Sequence, residues 1–307
     1  MKIFKVRRFF QIFSTIIHNG YPGFLATGSI YTGYFKKFCG PGLNCYSCPA
    51  ALFSCPLGSL QQIMISLRIL PWSYLSQVFL YLIAQILLFS LLLGRLICGW
   101  LCPFGFLQEL LYRIPFYKKK IHLPFRVERY LKHFFLLTFV FLFPALFIKE
   151  IGYGILWFCK YLCPAGTLEA GYFNLLINPS LRNKIGYIFA LKSGILVMLL
   201  LFSLIELRFF CKNLCPLGLI YGFFNKFSFL KLRWEEKSCN QCTLCEKICP
   251  MNLKIPKELN SVECIRCLNC LEVCPRKAIL LDKNFLYLPE RYLIKQSVGV
   301  LKNEKRR

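Results

Sequence analysis

Histidines and acidic residues are scarce in this sequence. Only three histidines (His18, His122 and His133) occur among 307 residues, and 14 Asp and Glu stand against 39 Lys and Arg. So few imidazoles nearly exclude the classical Cys/His zinc sites. No C-x2-C-H segment is present, which excludes the usual attachment of a c-type haem.

Signatures of stand-alone catalysis are also missing. The sequence contains no nucleophile–base constellation, no glycine-rich phosphate loop and no flavin or nicotinamide fingerprint. We therefore do not expect a stand-alone enzyme, and net chemistry would need a partner oxidoreductase.

Cysteines and apolar residues, by contrast, are abundant. The chain is 56% hydrophobic and 17% aromatic, has a mean hydropathy of +0.51 and contains 18 cysteines. Its net charge of +25 could indicate nucleic-acid binding. However, many basic residues lie in short loops beside apolar segments, which is typical of membrane proteins. The pattern favours a lipid bilayer over nucleic acid as the partner.

Four apolar segments predict membrane-spanning helices. As a helix, the uncharged segment 73–93 is long enough to cross about 30 Å of hydrocarbon. Lys192 in the last segment is expected to snorkel or to face the protein interior. The first segment is interrupted by a glycine and a proline; it could be a cleaved signal peptide, but a broken, uncleaved span is preferred because no clean cleavage site follows. The four segments are 9–35, 73–93, 134–148 and 185–205.

The distribution of Lys and Arg orients these spans. Basic residues concentrate at the N-terminus, in the 113–132 loop and after the last span, whereas the segments at about 30–72 and 149–184 contain few. Basic loops stay in the cytoplasm. We therefore expect a multi-pass protein of the cytoplasmic (inner) membrane, with the N-terminus and the C-terminal domain facing the cytoplasm.

Residues 239–275 contain the strongest cysteine pattern. CNQCTLCEKICP and CIRCLNCLEVCP each read C-x2-C-x2-C-x3-C-P, as in bacterial-type two-cluster ferredoxins, which this module resembles over its whole length. In such ferredoxins the fourth cysteine of each run binds the other cluster. The predicted [4Fe–4S] ligands are Cys239, Cys242, Cys245 and Cys274 for the first cluster, and Cys264, Cys267, Cys270 and Cys249 for the second.

A second motif, C-x3-C-P-x-G, occurs three times, with a looser fourth copy. Each copy leads into an apolar stretch that can start a helix, whose free amides favour an anionic group such as a cluster. The copies are CGWLCPFG (98–105), CKYLCPAG (159–166), CKNLCPLG (211–218) and CPAALFSCPLG (48–58).

Two of these motifs are expected on the cytoplasmic side, because they follow the second and fourth spans. Together they supply a complete set of ligands for a third [4Fe–4S] cluster. Arg95 and Arg208, each three residues before a motif, would face this cluster or anchor the helix ends. The four predicted ligands at the cytoplasmic membrane edge are Cys98, Cys102, Cys211 and Cys215.

The remaining six cysteines are expected on the outer side. A fourth [4Fe–4S] cluster there would make an inverted repeat of the cytoplasmic site. The alternative is disulfide bonds, which are common in an oxidising compartment. Cys39 and Cys45 are left unassigned. The predicted ligands of the fourth cluster are Cys48, Cys55, Cys159 and Cys163.

The segments GRLICGWLCPFG and RFFCKNLCPLG, followed by the double ferredoxin motif, resemble the membrane-bound NapH/NosR-type ferredoxins over most of residues 73–275. This resemblance implies cluster binding at the eight ferredoxin cysteines, a membrane motif at Cys98, Cys102, Cys211 and Cys215, and electron flow from the quinone pool toward a reductase. The outer cysteine copy departs from the family pattern.

The sequence thus predicts a mainly α fold: a polytopic membrane domain of about four spans (1–230), a small α+β 2[4Fe–4S] ferredoxin domain (231–285) and a basic tail (286–307). The expected function is electron transfer between a membrane redox partner, such as quinol, and a partner oxidoreductase, with passage across the bilayer as a further option. The alternative is an accessory protein that matures or reduces a metal centre in another membrane enzyme.

Overall fold

The computed structural model describes residues 2–67, 69–118, 125–147 and 154–282, and it is mainly helical, as predicted. The basic tail predicted at 286–307 lies outside these residues. The α-helices are α1 (Lys2–His18), α2 (Phe24–Thr27), α3 (Pro56–Ser66), α4 (Trp72–Leu93), α5 (Leu96–Trp100), α6 (Pro103–Leu111), α7 (Phe125–Phe135), α8 (Phe143–Leu146), α9 (Phe173–Ile177), α10 (Tyr187–Ile205), α11 (Phe209–Asn213), α12 (Pro216–Phe223), α13 (Leu244–Lys247) and α14 (Asn269–Val273). The strands are β1 (Leu232–Trp234) and β2 (Ile279–Leu281).

Shorter helical turns connect these elements. Turns of 3-10 type lie at Tyr34–Lys37, Pro179–Lys184, Phe224–Lys226 and Glu236–Ser238, and π-helical turns lie at Leu136–Leu142, Phe158–Leu162 and Gly166–Tyr172. The first π turn comes just before Pro144, which has no N–H for the regular helical ladder.

Helices α4 and α10 coincide with the two most apolar predicted segments. Pro71 precedes α4, and Gly94 follows its end with a φ of 56°, a conformation that favours glycine. Only 22% of the most apolar stretch of α4 and 17% of that of α10 is buried. Apolar surface left so open in a single chain needs another apolar partner, and lipid is one.

The other two predicted spans are less regular. Helix α1 ends at His18, before the glycine and proline that interrupt the first apolar segment. Among the described residues, only α4 and α10 are long and apolar enough to cross a membrane, while Tyr130–Leu146 is a shorter apolar helix. The arrangement with four spans therefore stays a prediction.

Short helices begin directly after the C-P motifs. Helices α3, α6 and α12 start at the proline. Proline suits this position because the N–H that it lacks would have no hydrogen-bond partner in the first turn of a helix. The preceding cysteine is extended, and in Cys102 and Cys215 its sulfur accepts from the N–H of the motif glycine. Helices therefore do start after these motifs, and two of them, α6 and α12, are capped by the cysteine sulfur.

The C-terminal part consists of two similar halves joined by a small sheet. Strands β1 and β2 are antiparallel, with Leu232 opposite Leu281 and Trp234 opposite Ile279. Left-handed backbone recurs at equivalent places in the halves, before and after the second cysteine of each run, at Gln241, Thr243, Arg266 and Leu268. Such turns direct successive N–H groups into a concavity that favours an anion.

This ferredoxin-like part packs tightly on the helical part. A Cβ atom at Gly99 would lie 2.5 Å from the carbonyl oxygen of Ile265 and 3.8 Å from the Cα of Cys267. Trp100 Nε1 donates to the carbonyl of Arg266 at 3.1 Å, and Asn225 Nδ2 donates to the carbonyl of Cys264 at 2.8 Å. A C-x3-C-P motif and a ferredoxin cysteine loop are therefore in direct contact.

Gly99→Ala would test this contact, because the added methyl group overlaps the Ile265 carbonyl. We expect an overpacking cost of about 1–3 kcal/mol and a correspondingly lower Tm in detergent. The matched control is Gly194→Ala on α10, where nothing lies within 4 Å of the added carbon; its Tm should be unchanged or slightly higher. Equal Tm values for the two variants would contradict the tight junction.

Candidate iron–sulfur sites

Four cysteines from the segments that follow α4 and α10 line one small cavity. Each is at most 8% exposed, and Phe104, Phe210 and Leu43 complete the apolar wall. Burial, followed by the neighbouring Cys211 and Cys98 thiols, raises the pKa of Cys102 to about 12. We call this group the junction site; its cysteines are Cys98, Cys102, Cys211 and Cys215.

One glutamine fixes the approach of the two motifs that form the junction site. Gln108 Nε2 donates to Cys211 Sγ at 3.1 Å, and Gln108 Oε1 accepts from the N–H of Phe210 at the same distance. Gln108 lies on α6, six residues after Cys102, and is fully buried. Its two bonds hold the start of the second motif against the helix that follows the first.

Arg95 connects the junction site to the ferredoxin part. Its Nη2 donates to the carbonyl of Cys211 at 2.9 Å, while its Nη1 pairs with Glu263, at 2.6 Å, directly before the ferredoxin ligand position Cys264. Lys132 pairs with the same carboxylate. Although burial opposes ionisation, Arg95 and Lys132 hold the pKa of Glu263 at about 2.

Arg208 plays the equivalent part on the other motif. It pairs with Glu109 on α6 at 2.6 Å and donates to the carbonyls of Cys98 and Gly99. Its own φ is +58°, a strained value for a side chain of this size. Arg95 therefore lines the cavity, whereas Arg208 holds the backbone of the first motif beside it, and both arginines bridge distant segments.

The second predicted ferredoxin ligand set also surrounds one cavity. All four cysteines line it together with apolar side chains that include Met251, Leu253 and Ile265. Burial, followed by the thiols of Cys267 and Cys264, raises the pKa of Cys249 to about 12. A metal ion would deprotonate such thiols on binding. We call this group the second ferredoxin site: Cys249, Cys264, Cys267 and Cys270.

The first predicted ferredoxin set lies nearer the surface. Cys242 is exposed, and the other three cysteines are half-buried. Burial raises the pKa of Cys245, with Cys242 and Cys274 as its neighbouring thiols. The sulfur of Cys274 accepts from the N–H of Ala278 at 3.3 Å. We call this group the first ferredoxin site: Cys239, Cys242, Cys245 and Cys274.

The cysteines expected on the outer side form another group, with one difference from the predicted set. Burial raises the pKa of Cys163, and so do the neighbouring thiols of Cys159, Cys45 and Cys55. Burial, followed by the thiols of Cys55 and Cys45, also raises the pKa of Cys159. The group that the structure brings together, here called the distal site, is Cys45, Cys55, Cys159 and Cys163.

Cys48 and Cys39 lie beside this group. Cys48 is buried among Ala50 and Ala51, and Lys36 is the cation near its thiol. The Cys39 thiol lies 3.4 Å from Ser59 Oγ, at the edge of an open cavity. All eighteen cysteines are free thiols, so the structure contains none of the disulfides considered for the outer side.

The all-cysteine composition of these groups favours a cluster over a single ion. Among the residues that the structure describes, no three His, Cys, Asp or Glu side chains form a group that could hold one metal ion. A zinc site needs its four ligands to converge on one atom, whereas a [4Fe–4S] cube takes its thiolates around its perimeter. All-thiol ligand sets in apolar surroundings suit the cube.

Comparison with known proteins also indicates a [4Fe–4S] cluster as the cofactor. The family model for a 4Fe-4S binding domain matches residues 76–124, 133–184 and 193–235, each of which contains one C-x3-C-P motif. No solved structure matches the chain.

Several curated proteins are similar to about two thirds of the chain. Uncharacterized proteins MJ0749 and MJ0750 of Methanocaldococcus jannaschii are 34% and 35% identical over 61% and 63% of this chain, which covers 63% and 74% of their lengths. Putative electron transport protein YccM of Escherichia coli is 28% identical over 63% of this chain and 52% of its own length.

The ferredoxin-type protein NapH of Haemophilus influenzae is 23% identical over 66% of this chain and 67% of its own length, and NosR proteins match as well. With its paired C-x3-C-P motifs, its double ferredoxin motif and these relatives, the chain belongs to the NapH/NosR-type 4Fe-4S ferredoxin family.

Proposed function

We propose that this protein is a membrane-bound electron-transfer protein that relays electrons between a redox partner in the membrane and an oxidoreductase docked on its ferredoxin part. The observation that carries the proposal is the direct contact of the junction site with the second ferredoxin site at Gly99. Two relatives have names that agree with this role, a putative electron transport protein and a ferredoxin-type protein.

The residues of the junction site fit a [4Fe–4S] cluster. Bound there, a cluster supplies one-electron redox chemistry, and the protein sets its potential through charge, hydrogen bonds and burial. The N–H groups of Gly105 and Gly218 donate to Cys102 and Cys215 at 3.4 Å. Arg95 and Arg208 add positive charge beside the thiolates, and the apolar wall excludes water.

The packing suggests an order for the sites. The second ferredoxin site lies against the junction site, because Gly99 contacts Ile265 and Cys267. The first ferredoxin site lies nearer the surface and includes the exposed Cys242. We therefore propose that the first ferredoxin site faces the partner oxidoreductase. The domain boundary would fall near residue 230, between α12 and β1.

A membrane location is supported by the open apolar faces of α4 and α10. We propose that Tyr130–Leu146 and α1 complete a multi-pass bundle in the cytoplasmic membrane, with the ferredoxin part on the cytoplasmic side. Phe4 near the start of α1 donates its N–H to Glu272 of the ferredoxin part at 3.2 Å, so the N-terminus lies on that side too.

An open cavity between α3 and α4 suits a lipophilic electron carrier such as quinol. Its lining combines apolar side chains with about as many polar ones. Tyr74, Tyr81 and Ser59 supply hydroxyl groups, and Cys55 of the distal site forms part of the wall. We propose this cavity as the place where the membrane carrier exchanges electrons.

Cys98→Ser tests the junction site. It should remove about four irons per chain while the EPR signals of both ferredoxin sites persist, because their ligands come from other segments. The matched control is Cys39→Ser, since Cys39 contacts Ser59 and does not line the junction cavity. Full iron content in Cys98→Ser after anaerobic purification would refute the junction cluster.

The same variant separates electron transfer from an accessory role. In liposomes, quinol should reduce the ferredoxin sites of the unchanged protein but not those of Cys98→Ser, whereas dithionite should reduce both. Equal reduction of the two proteins by quinol would contradict a path through the junction site.

Arg95→Met should lower the midpoint potential of the junction cluster, because a buried positive charge stabilises the added electron. An EPR-monitored redox titration measures the shift. The double variant Arg95→Met/Glu263→Gln restores the local net charge and should return the potential toward its original value. An unchanged or higher potential in Arg95→Met would show that the arginine acts only as an anchor.

A further inference from the structure

The distal site repeats the architecture of the junction site. Gln61 lies six residues after Cys55, as Gln108 lies six residues after Cys102. Gln61 Nε2 donates to Cys159 Sγ at 3.1 Å, and its Oε1 accepts from the N–H of Phe158 at 3.0 Å. Gln108 makes the same two bonds to Cys211 and the residue before it. In each site, a glutamine therefore holds one C-x3-C-P motif against the helix that follows a cysteine of the other motif.

The fourth position of the distal site is occupied by Cys45. A Cβ atom at Gly166 would lie 3.6 Å from Cys45 Sγ and 3.7 Å from Cys163 Sγ, so one glycine has both sulfurs beside it. A Cβ at Gly58 would lie 3.8 Å from Cys159 Sγ and 3.9 Å from Cys55 Cβ. The two motif glycines therefore have thiols from both halves of the group around them.

The side chain of Glu169 fixes Cys45 in this place. Glu169 Oε2 accepts from the N–H of Cys45 at 2.6 Å. Glu169 lies six residues after Cys163, the position that Tyr221 occupies after Cys215 in the junction site. Tyr221 is fully buried, with Cys98 as its first neighbouring thiol. Cys45 thus corresponds to Cys98.

We infer that Cys45, Cys55, Cys159 and Cys163 hold a further [4Fe–4S] cluster, with Cys45 in place of the Cys48 expected from sequence. The inference rests on the proposed function, since it uses the same cofactor. The two sites adjoin: Leu43 lines the junction cavity, and Cys45 follows it by two residues. An electron could therefore pass from one site to the other through this short stretch of packed protein.

Cys45→Ser and Cys48→Ser form a matched pair that tests the assignment. In full-length protein purified anaerobically, Cys45→Ser should lose about four irons per chain, and Cys48→Ser should keep its full content. Mössbauer spectroscopy of the 57Fe-loaded proteins gives the clusters that remain. Full iron in Cys45→Ser, or a four-iron loss in Cys48→Ser, would overturn the ligand set.

Two further variants keep the test decisive. If Cys45→Ser does not fold, Cys45→Asp offers an oxygen ligand that iron accepts. The Cys45→Asp protein should retain its iron and show a changed EPR spectrum for one cluster. An unchanged spectrum would overturn the inference. Cys98→Ser separates the hypotheses: iron loss there but not in Cys45→Ser refutes the distal cluster alone, whereas loss in neither variant also refutes the junction cluster.

Discussion

Two buried arginines hold the junction site together. Arg95 and Arg208 are fully buried, and leaving such a charge without its partner costs about 3–5 kcal/mol. Their partners, Glu263 and Glu109, lie on segments far away in sequence. The C-x3-C-P motifs therefore cannot separate from each other, or from the ferredoxin part, without exposing or orphaning a charge. Four thiols from distant segments stay around one cavity because these pairs close it.

The ion pairs also change the meaning of several basic residues. Arg7 and Lys132 were expected among the cytoplasmic loop charges, but both side chains are buried in ion pairs with Glu109 and Glu263. Lys212 is likewise buried against Glu206. These cations stabilise the cysteine sites, in addition to any effect that they have on the orientation of the chain in the membrane. A count of Lys and Arg in loops cannot separate these roles, because the carboxylates that pair with them lie on other segments.

The sequence predicts those parts of the sites that depend on spacing within one segment. The second ferredoxin set and the junction set each line a shared cavity because their motifs place two or three thiols on one turn. The spacing could not choose between Cys45 and Cys48, since that choice depends on a hydrogen bond from Cys45 to Glu169 in a distant segment. One signal was available: a polar residue stands six positions after the cysteine of each C-P-x-G ending, namely Gln61, Gln108, Glu169 and Tyr221.

The two repeated sites differ in the charge around them. The residues three positions before Cys98 and Cys211 are arginines, whereas the corresponding residues before Cys45 and Cys159 are Gly42 and Leu156. At the distal site Lys192 donates to the carbonyl of Cys159 at 3.2 Å, so this lysine faces the protein interior, and Lys36 lies near the thiols of Cys48 and Cys45.

Positive charge stabilises the more negative, reduced form of a cluster. The same glutamine-braced scaffold thus offers an electron two unequal environments. The more positive one, at the junction site, is the one that touches the ferredoxin part. Because the scaffold is shared, the arginines at the third position before each junction motif contribute to this difference. If both sites hold clusters, an electron at the distal site would find the junction site the more favourable.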